Sequence, residues 1–257
     1  DYMKPSELTD LFIYDLANNH QGDTGHALKI IEEVGRVNAE AGVRGAIKFQ
    51  FRQLDTFIHP DYKDRMDLKF IKRFSETRLP MEAYHDFAKT ARDSGLHVMC
   101  TPFDEESVDV ICDMGLDIIK VASCSASDKP LLKKIASVNF PVIASTAGLR
   151  LDEIDWLVNF FESERVDFAL MHCVALYPTP DDKLQLNQIG LLKNRYRGVP
   201  IGWSTHEDQD NTSAIQIAYA KGARLFERHV GIPKEDAPLN AYSSTPEQLQ
   251  AWLKAYH

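Results

Sequence analysis

The fold is decided by two stretches near the end of the chain, Val199-Pro-Ile-Gly-Trp-Ser-Thr-His206 and Arg224-Leu-Phe-Glu-Arg-His229. Each is a short, mostly apolar run that ends on a histidine, which predicts a buried strand with a polar side chain at its carboxyl end. In a barrel of eight parallel strands, the carboxyl ends of adjacent strands meet at one face, so the two imidazoles are expected side by side. They are candidate ligands for a divalent metal ion, although two histidines do not complete a coordination shell. Alternatively, both rings bond to water or carboxylates.

The rest of the chain repeats this unit, because short apolar runs alternate with amphipathic stretches, and this alternation is typical of βαβ construction. A helix is predicted from about Gly25 to Ala41, with Thr24 as its cap and Gly42 closing it. The last helix is predicted over Pro246 to Tyr256. We predict a single-domain α/β fold, a (β/α)8 TIM barrel over residues 1–257, with residues 1–10 as a loose arm. The eight predicted strands cover residues 11–15, 45–50, 96–101, 117–122, 141–145, 167–173, 199–206 and 224–229.

One long polar segment interrupts the alternation, between the second strand and the helix predicted at residues 81–94. It covers residues 51–80. Loops of this length in a compact domain are usually functional.

Composition excludes several classes of function. The 257 residues are 44% hydrophobic and 26% charged, and they contain neither a long apolar run nor an apolar leader, so we predict a cytoplasmic protein without a membrane span. The four cysteines lack CxxC spacing, which favours reduced thiols. A net charge of −9 argues against nucleic acid or an anionic membrane as a partner. An anionic small substrate would need a local cluster of positive groups.

Two lysines, Lys48 and Lys120, lie inside apolar runs that read as strands. Burying an ammonium group is unfavourable unless it meets an anion or a carboxylate. The alternatives are a clamp for phosphate or carboxylate, a Schiff-base lysine of an aldolase, and a structural salt bridge. Two such lysines favour the clamp, because a Schiff base needs only one amine, kept neutral.

Small hydroxyl side chains also follow several strands and are suited to phosphate oxygens, although each is equally a common turn residue. Neither a P-loop nor a G-x-G-x-x-G motif is present. Four further groups at strand ends or in the first loop are candidates for proton transfer or sugar orientation: Asp15, His20, His172 and Glu227.

Taken together, the motifs at the strand ends resemble the sialic acid synthase family in order and spacing over nearly the whole chain. These motifs are Asn18-Asn-His-Gln-Gly22, Ile47-Lys-Phe-Gln50, Cys100-Thr-Pro-Phe103, Ile119-Lys-Val-Ala-Ser123, Ser145-Thr-Ala-Gly148, His172-Cys-Val-Ala-Leu-Tyr-Pro-Thr-Pro180, Ile201-Gly-Trp-Ser-Thr-His206 and Glu227-Arg-His229. The resemblance implies a barrel transferase of carbohydrate biosynthesis. Such an enzyme condenses phosphoenolpyruvate with an aldose such as N-acetylmannosamine, releases phosphate, uses Mn²⁺ or Mg²⁺, and acts as a homodimer.

The resemblance also implies a role for particular residues. His206 and His229 match the metal ligands, and Tyr177 matches a residue beside the acceptor sugar. Asp15 stands in the place of a glutamate that contacts the acceptor's aldehyde end. The residues that match the phosphoenolpyruvate site are Lys48, Thr101, Lys120, Ser123, Ser145 and Ser204.

The sequence departs from the family pattern mainly on the acceptor side, at Ser125, Ala175, Thr205 and Asn240. The antifreeze-like domain that family members append is also expected to be missing. Two alternatives follow. One is a related ulosonate synthase with a phosphorylated acceptor, for which the basic candidates in the long loop are Arg52, Arg65 and Arg73. The other is a catalytically reduced barrel that binds a sugar or phosphate within a larger polypeptide.

Overall fold

The computed structural model describes residues 8–257, in which eight parallel strands close into a barrel surrounded by helices. Each strand pairs with its neighbours in chain order, and β1 also pairs with β8, which closes the sheet. The predicted TIM barrel is thereby confirmed. The strands are β1 (Leu11–Asp15), β2 (Arg44–Phe51), β3 (His97–Pro102), β4 (Ile118–Val121), β5 (Val142–Ser145), β6 (Phe168–Cys173), β7 (Ile201–Ser204) and β8 (Leu225–Val230).

Helices connect the strands and cover the outside of the barrel. They are α1 (Thr24–Ala41), α2 (Leu54–Phe57), α3 (Lys69–Glu76), α4 (Met81–Asp93), α5 (Glu105–Asp113), α6 (Lys129–Ala136), α7 (Leu151–Ser163), α8 (Asn187–Arg195), α9 (Ser213–Lys221) and α10 (Pro246–Tyr256). The cap of α1 is Asp23, whose side chain accepts from the N–H of His26, so the prediction of Thr24 was off by one residue. Gly42 ends α1 with φ of 63°, as predicted.

The segment after β2 has more structure than its polar sequence indicated. It contains α2, α3 and a 3₁₀ turn at Pro60–Tyr62, all before α4 begins at Met81. A two-residue strand, β9 (Ser243–Ser244), extends the sheet beside β8. Both additions lie at the carboxyl end of the barrel.

The side chains of each strand alternate between the barrel interior and the surrounding helices, as strand geometry requires. In β1, Leu11 and Ile13 pack in the interior, whereas Phe12 and Tyr14 pack against the helices. The interior floor is apolar, and it consists of Leu8, Leu11, Ile13, Ala46, Met99, Ile118, Ile143, Ala169, Met171 and Leu225.

The predicted arm covers residues 1–10, of which residues 1–7 lie outside the described residues. Leu8 is fully buried in the floor, and the N–H of Asp10 donates to the carbonyl of Arg224 at 2.6 Å. The described end of this segment is therefore packed against the barrel.

None of the helices within residues 8–257 combines the length and apolar character needed to cross a membrane.

Candidate active site

The carboxyl ends of the strands surround a cavity of about 330 Å³. Every residue to which the family resemblance gives a role at the site lines it. They are Asp15, Lys48, Thr101, Lys120, Ser123, Ser145, Tyr177, Ser204, His206 and His229. The separate stretches of sequence therefore converge on one mouth.

Glu227 stands at the centre of this cavity. Its carboxylate accepts from the Lys120 Nζ at 3.0 and 3.1 Å and from the Lys48 Nζ at 3.2 Å. Ser204 Oγ donates to the same carboxylate at 3.1 Å. Burial alone would raise the pKa of Glu227, but the two ammonium groups outweigh it and lower that pKa below its usual range. Glu227 is therefore an anion that holds both lysines in place.

Sequence reasoning listed Glu227 only as a possible proton-transfer or orienting group and missed its central position. A signal was available, since side chains two residues apart in a strand point the same way. Leu225 lies in the floor, His229 lines the cavity, and Glu227 is two residues away from each of them. The side chain of Glu227 must therefore also face the barrel interior.

The two lysines differ in their surroundings. Lys48 Nζ contacts Glu227 and lies 2.9 Å from Asp15 Oδ2, and these two anions raise its pKa despite its burial. Burial lowers the pKa of Lys120, because Glu227 only partly offsets the loss of solvent and Lys48 adds a like charge. An ammonium has three N–H donors, and each lysine uses two on these carboxylates. One donor on each lysine remains for a ligand.

Asp15 is held in a fixed orientation in the cavity. Its Oδ1 accepts from the N–H of Ala17 at 2.9 Å, and Gln50 Nε2 lies 3.3 Å from its Oδ2. His229 Nε2 is 3.6 Å from the same Oδ2. The carboxylate therefore lies between an ammonium group and an imidazole.

Two hydroxyl groups in the cavity have no hydrogen-bond partner among residues 8–257. They are Thr101 Oγ1 and Ser145 Oγ, and both atoms are buried. Ser123 Oγ accepts from the N–H of Ala147 at 3.0 Å. This bond ties the Ser123 hydroxyl to the start of the loop after β5. Buried hydroxyls are nearly always satisfied in folded proteins, so the two orphans indicate a polar ligand.

The two predicted metal ligands lie side by side at the mouth, with ring centroids 5.4 Å apart. His206 Nδ1 bonds to the carbonyl of Val174 at 3.1 Å, which leaves Nε2 with a free lone pair. Burial, and after it the charge of His229, lower the pKa of His206 to about 3. The imidazole is therefore neutral, the form that coordinates a metal ion.

Within residues 8–257 no cluster of three His, Cys, Asp or Glu side chains has metal-binding geometry. The residues present fit an ion held by two imidazoles that completes its shell with oxygen atoms from substrate or water.

Two aromatic rings cover the imidazoles from the solvent side. The Tyr177 ring centroid lies 4.2 Å from that of His206, and Tyr242 packs at 5.2 Å from His229 and 5.4 Å from Tyr177. Tyr177 is 56% exposed. The rim of the cavity is therefore aromatic and open, in contrast to the charged and buried interior.

The positions that depart from the family pattern fall in different places. Ala175 lines the cavity, whereas Ser125 is buried and is not part of the lining. The N–H of Thr205 donates to the carbonyl of Glu227 at 2.9 Å, and Asn240 Oδ1 accepts from the N–H of Tyr242 at 3.2 Å. The last two residues therefore shape the backbone around the histidines.

The remaining candidates lie outside the cavity lining. His172 Nε2 bonds to the carbonyl of Leu184 at 2.9 Å, and the Nδ1 of His20 accepts from the N–H of Gly22 at 3.1 Å. Burial, and after it the charge of Arg73, lower the pKa of His20 to about 4. Arg65 forms an exposed pair with Asp67 at 2.7 Å. His172 and His20 are thus engaged with backbone, and Arg65 is turned away.

Comparison with known proteins gives the family. Residues 36–257 match the NeuB family. The chain belongs to the NeuB family. It is 30% identical over 258 residues to the N,N'-diacetyllegionaminic acid synthase of Campylobacter jejuni, covering 93% of this chain and 73% of that protein. It is 30% identical over 252 residues to the N-acetylneuraminate-9-phosphate synthase of Drosophila melanogaster, covering 95% of this chain.

This NeuB-family chain spans 66% of the length of the Drosophila relative. A crystal structure from Chromobacterium violaceum, described as a spore coat polysaccharide biosynthesis protein E, superposes with a TM-score of 0.94 at 47% identity. The match covers 96% of this chain and 74% of that one. The suspected family resemblance is thereby confirmed, and so is its extent over nearly the whole barrel.

Proposed function

We propose that this NeuB-family barrel condenses phosphoenolpyruvate with an aldose to give a nonulosonic acid and phosphate. The observation that carries the proposal is the pairing of two buried ammonium groups, each with a donor to spare, with two buried hydroxyls that lack partners. A compact anion with several oxygen atoms satisfies all four groups at once. Phosphoenolpyruvate carries a phosphate and a carboxylate, so it matches this arrangement.

The chain's own residues supply binding, orientation and proton movement. Lys48, Lys120 and the hydroxyls hold the donor, while Glu227 fixes the two lysines. The methylene carbon of phosphoenolpyruvate bonds to the aldehyde carbon, whose oxygen takes a proton. Water then adds at carbon 2, and the bond between that carbon and the phosphate oxygen breaks. In this proposal Asp15 moves the proton when the sugar ring opens.

We further propose that His206 and His229 hold Mn²⁺ or Mg²⁺. When bound, such an ion supplies Lewis-acid polarisation of the aldehyde oxygen. His229→Ala is expected to remove Mn²⁺ binding in calorimetry, because only one imidazole remains. Arg65→Met, which changes an exposed residue outside the cavity lining, serves as the control. An unchanged Mn²⁺ isotherm in His229→Ala would overturn this assignment.

The condensation is tested by phosphate release from phosphoenolpyruvate with Mn²⁺ and a panel of hexosamine aldehydes. Lys120→Ala is expected to abolish the release, because it removes a charge that faces the donor. Undiminished turnover in that variant refutes the role of the lysine. Ligand-induced thermal stabilisation without phosphate release by the unaltered chain would instead support a catalytically reduced binding barrel.

One observation favours a second reaction class. The lowered pKa of Lys120 is what a Schiff-base lysine needs. Against it, Nζ donates to both oxygens of Glu227, an arrangement typical of a charged ammonium. Borohydride trapping with pyruvate distinguishes the two, since only an aldolase-type enzyme gains a covalent pyruvyl adduct at Lys120.

A further inference from the structure

A second recess opens beside the central cavity, under the long segment between β2 and α4. Its volume is about 160 Å³, and Gln50 lines both spaces. The recess is bounded by polar side chains from two connections: Asn18 follows β1, and Arg52 and Thr77 belong to the segment between β2 and α4. The two spaces are therefore adjacent, with Gln50 between them.

Arg52 is a cationic side chain of this recess that is held by aromatic rings and a neutral amide. Its guanidinium carbon lies 4.2 Å from the ring centroid of Phe74 and 4.2 Å from that of Phe103. Its Nη2 donates to Gln50 Oε1 at 3.0 Å, whereas its Nε is buried without an acceptor. Within residues 8–257 no carboxylate forms a salt bridge with it. A cation held between two aromatic faces and left without a counter-charge is prepared to meet an anion.

Other arginines of the same segment behave differently. Arg65 pairs with Asp67 at 2.7 Å, and Arg78, which also lines the recess, pairs with Asp55 at 3.2 Å. Both pairs are solvent-exposed. Arg52, in contrast, is largely buried, and this burial lowers its pKa. Its side-chain hydrogen-bond partner is the neutral amide of Gln50. The difference distinguishes Arg52 from these two paired arginines.

The position of Arg52 relative to the central cavity fixes which part of a ligand it meets. Gln50 Nε2 lies 3.3 Å from Asp15 Oδ2, and Gln50 Oε1 accepts from Arg52. An aldose whose aldehyde end lies at Asp15 therefore directs its far end over Gln50 toward Arg52.

We propose that Arg52 binds an anionic group, a phosphate monoester or a carboxylate, at the far end of the acceptor aldose. The inference deepens the proposed function and rests on it for the identity of the acceptor. The planar guanidinium, fixed by Phe74 and Phe103, presents its remaining N–H groups as a fork to an oxyanion. The residue thus determines specificity for the acceptor, whereas donor binding is the task of the lysines.

The kinetic test compares three sugars that differ only at carbon 6: N-acetylmannosamine, its 6-phosphate and its 6-carboxylate. One anionic sugar is expected to be preferred over the neutral one by the unaltered chain, and which anion wins distinguishes phosphate from carboxylate. Arg52→Met is expected to reduce that preference about tenfold or more, through KM for the acceptor, and Arg52→Lys by less. Arg65→Met is the control and should keep the preference. A preference unchanged in Arg52→Met overturns the proposal.

A binding test separates failure of this proposal from failure of the proposed function. Calorimetry with mannose 6-phosphate needs no turnover, and the sugar phosphate could also enter the donor site. Loss of binding in Arg52→Met with retention in Lys120→Met supports the recess, even if no phosphate is ever released from phosphoenolpyruvate. The reverse pattern places the anion at the lysines and overturns the proposal, as does equal binding of mannose and its phosphate. Thermal unfolding of each variant shows that it is folded.

Discussion

The floor and the mouth of the barrel interior are built on the same strands, yet they have opposite chemistry. In β5, Ile143 packs in the floor and Ser145 faces the cavity, and in β8 the same step separates Leu225 from Glu227. The two residues of each pair are two positions apart, so they point in the same direction. A distance of two residues along a strand therefore separates the apolar floor, which stabilises the fold, from the polar mouth, which is available for chemistry.

The energetic consequences of the two layers also differ. Burying an apolar side chain in the floor stabilises the fold by about 1.5–3 kcal/mol. In the mouth, four charged side chains lie below 5% exposure, namely Asp15, Lys48, Lys120 and Glu227. Charges buried in this way are tolerated only when they are paired and hydrogen-bonded. The mouth therefore contributes less to the stability of the fold than the floor does. Its buried charges are tolerated because the two carboxylates and the two ammonium groups neutralise one another.

The largest effect is expected from breaking that compensation with Glu227→Ala. Lys120 would lose both of its carboxylate contacts and Lys48 one of two, so two ammonium groups would be left poorly compensated. Removing one partner of a buried pair typically costs about 3–5 kcal/mol. We expect a loss of stability of that size in urea denaturation, together with loss of phosphate release from phosphoenolpyruvate.

Glu227→Gln is the matched control, because it keeps the shape but not the charge. We expect Glu227→Gln to have a stability between that of the unaltered chain and that of Glu227→Ala, and to show little turnover. Wild-type stability in Glu227→Ala would show that the lysines are solvated well enough to do without the carboxylate, and the contrast between floor and mouth would fail.

Much of this arrangement was predictable because the strands are short apolar runs bounded by turn residues. The strands agree with the sequence prediction to within about two residues at nearly every end, and β1 matches at both ends. The cap of α1 was misplaced because Asp23 and Thr24 are adjacent and both residue types cap helices. The convergence of Lys48, Lys120 and the histidines followed from barrel geometry alone.

The recess beside the mouth was far less predictable, since it is built mainly by the long segment between β2 and α4. Lys69, Lys72 and Arg73 give α3 a strongly polar sequence, so its helical character was hidden within a segment that read as a loop. The stacking of Arg52 between Phe74 and Phe103 joins residues from different connections. No periodicity in the sequence encodes such a meeting, because it depends on the path of the long loop over the barrel.

A smaller and more selective effect is expected from two substitutions on β5. Ile143→Ala removes buried apolar groups from the floor and should cost about 2–5 kcal/mol of stability, with phosphoenolpyruvate affinity of the folded protein unchanged. Ser145→Ala should leave stability within about 0.5 kcal/mol, because its buried Oγ has no partner among the described residues to lose. Its affinity for phosphoenolpyruvate should nevertheless fall about tenfold, the effect of one hydrogen bond to a charged group.

Urea denaturation and calorimetry with phosphoenolpyruvate measure both quantities on each variant. We expect stability and phosphoenolpyruvate affinity to change separately. Ile143 and Ser145 lie on the same strand and point in the same direction, but one belongs to the floor and the other to the mouth. If Ser145→Ala loses stability and keeps its affinity, its hydroxyl belongs to the fold and the donor site must be sought elsewhere in the cavity. If Ile143→Ala weakens donor binding as much as Ser145→Ala does, the floor supports the geometry of the mouth, and the two layers act as one.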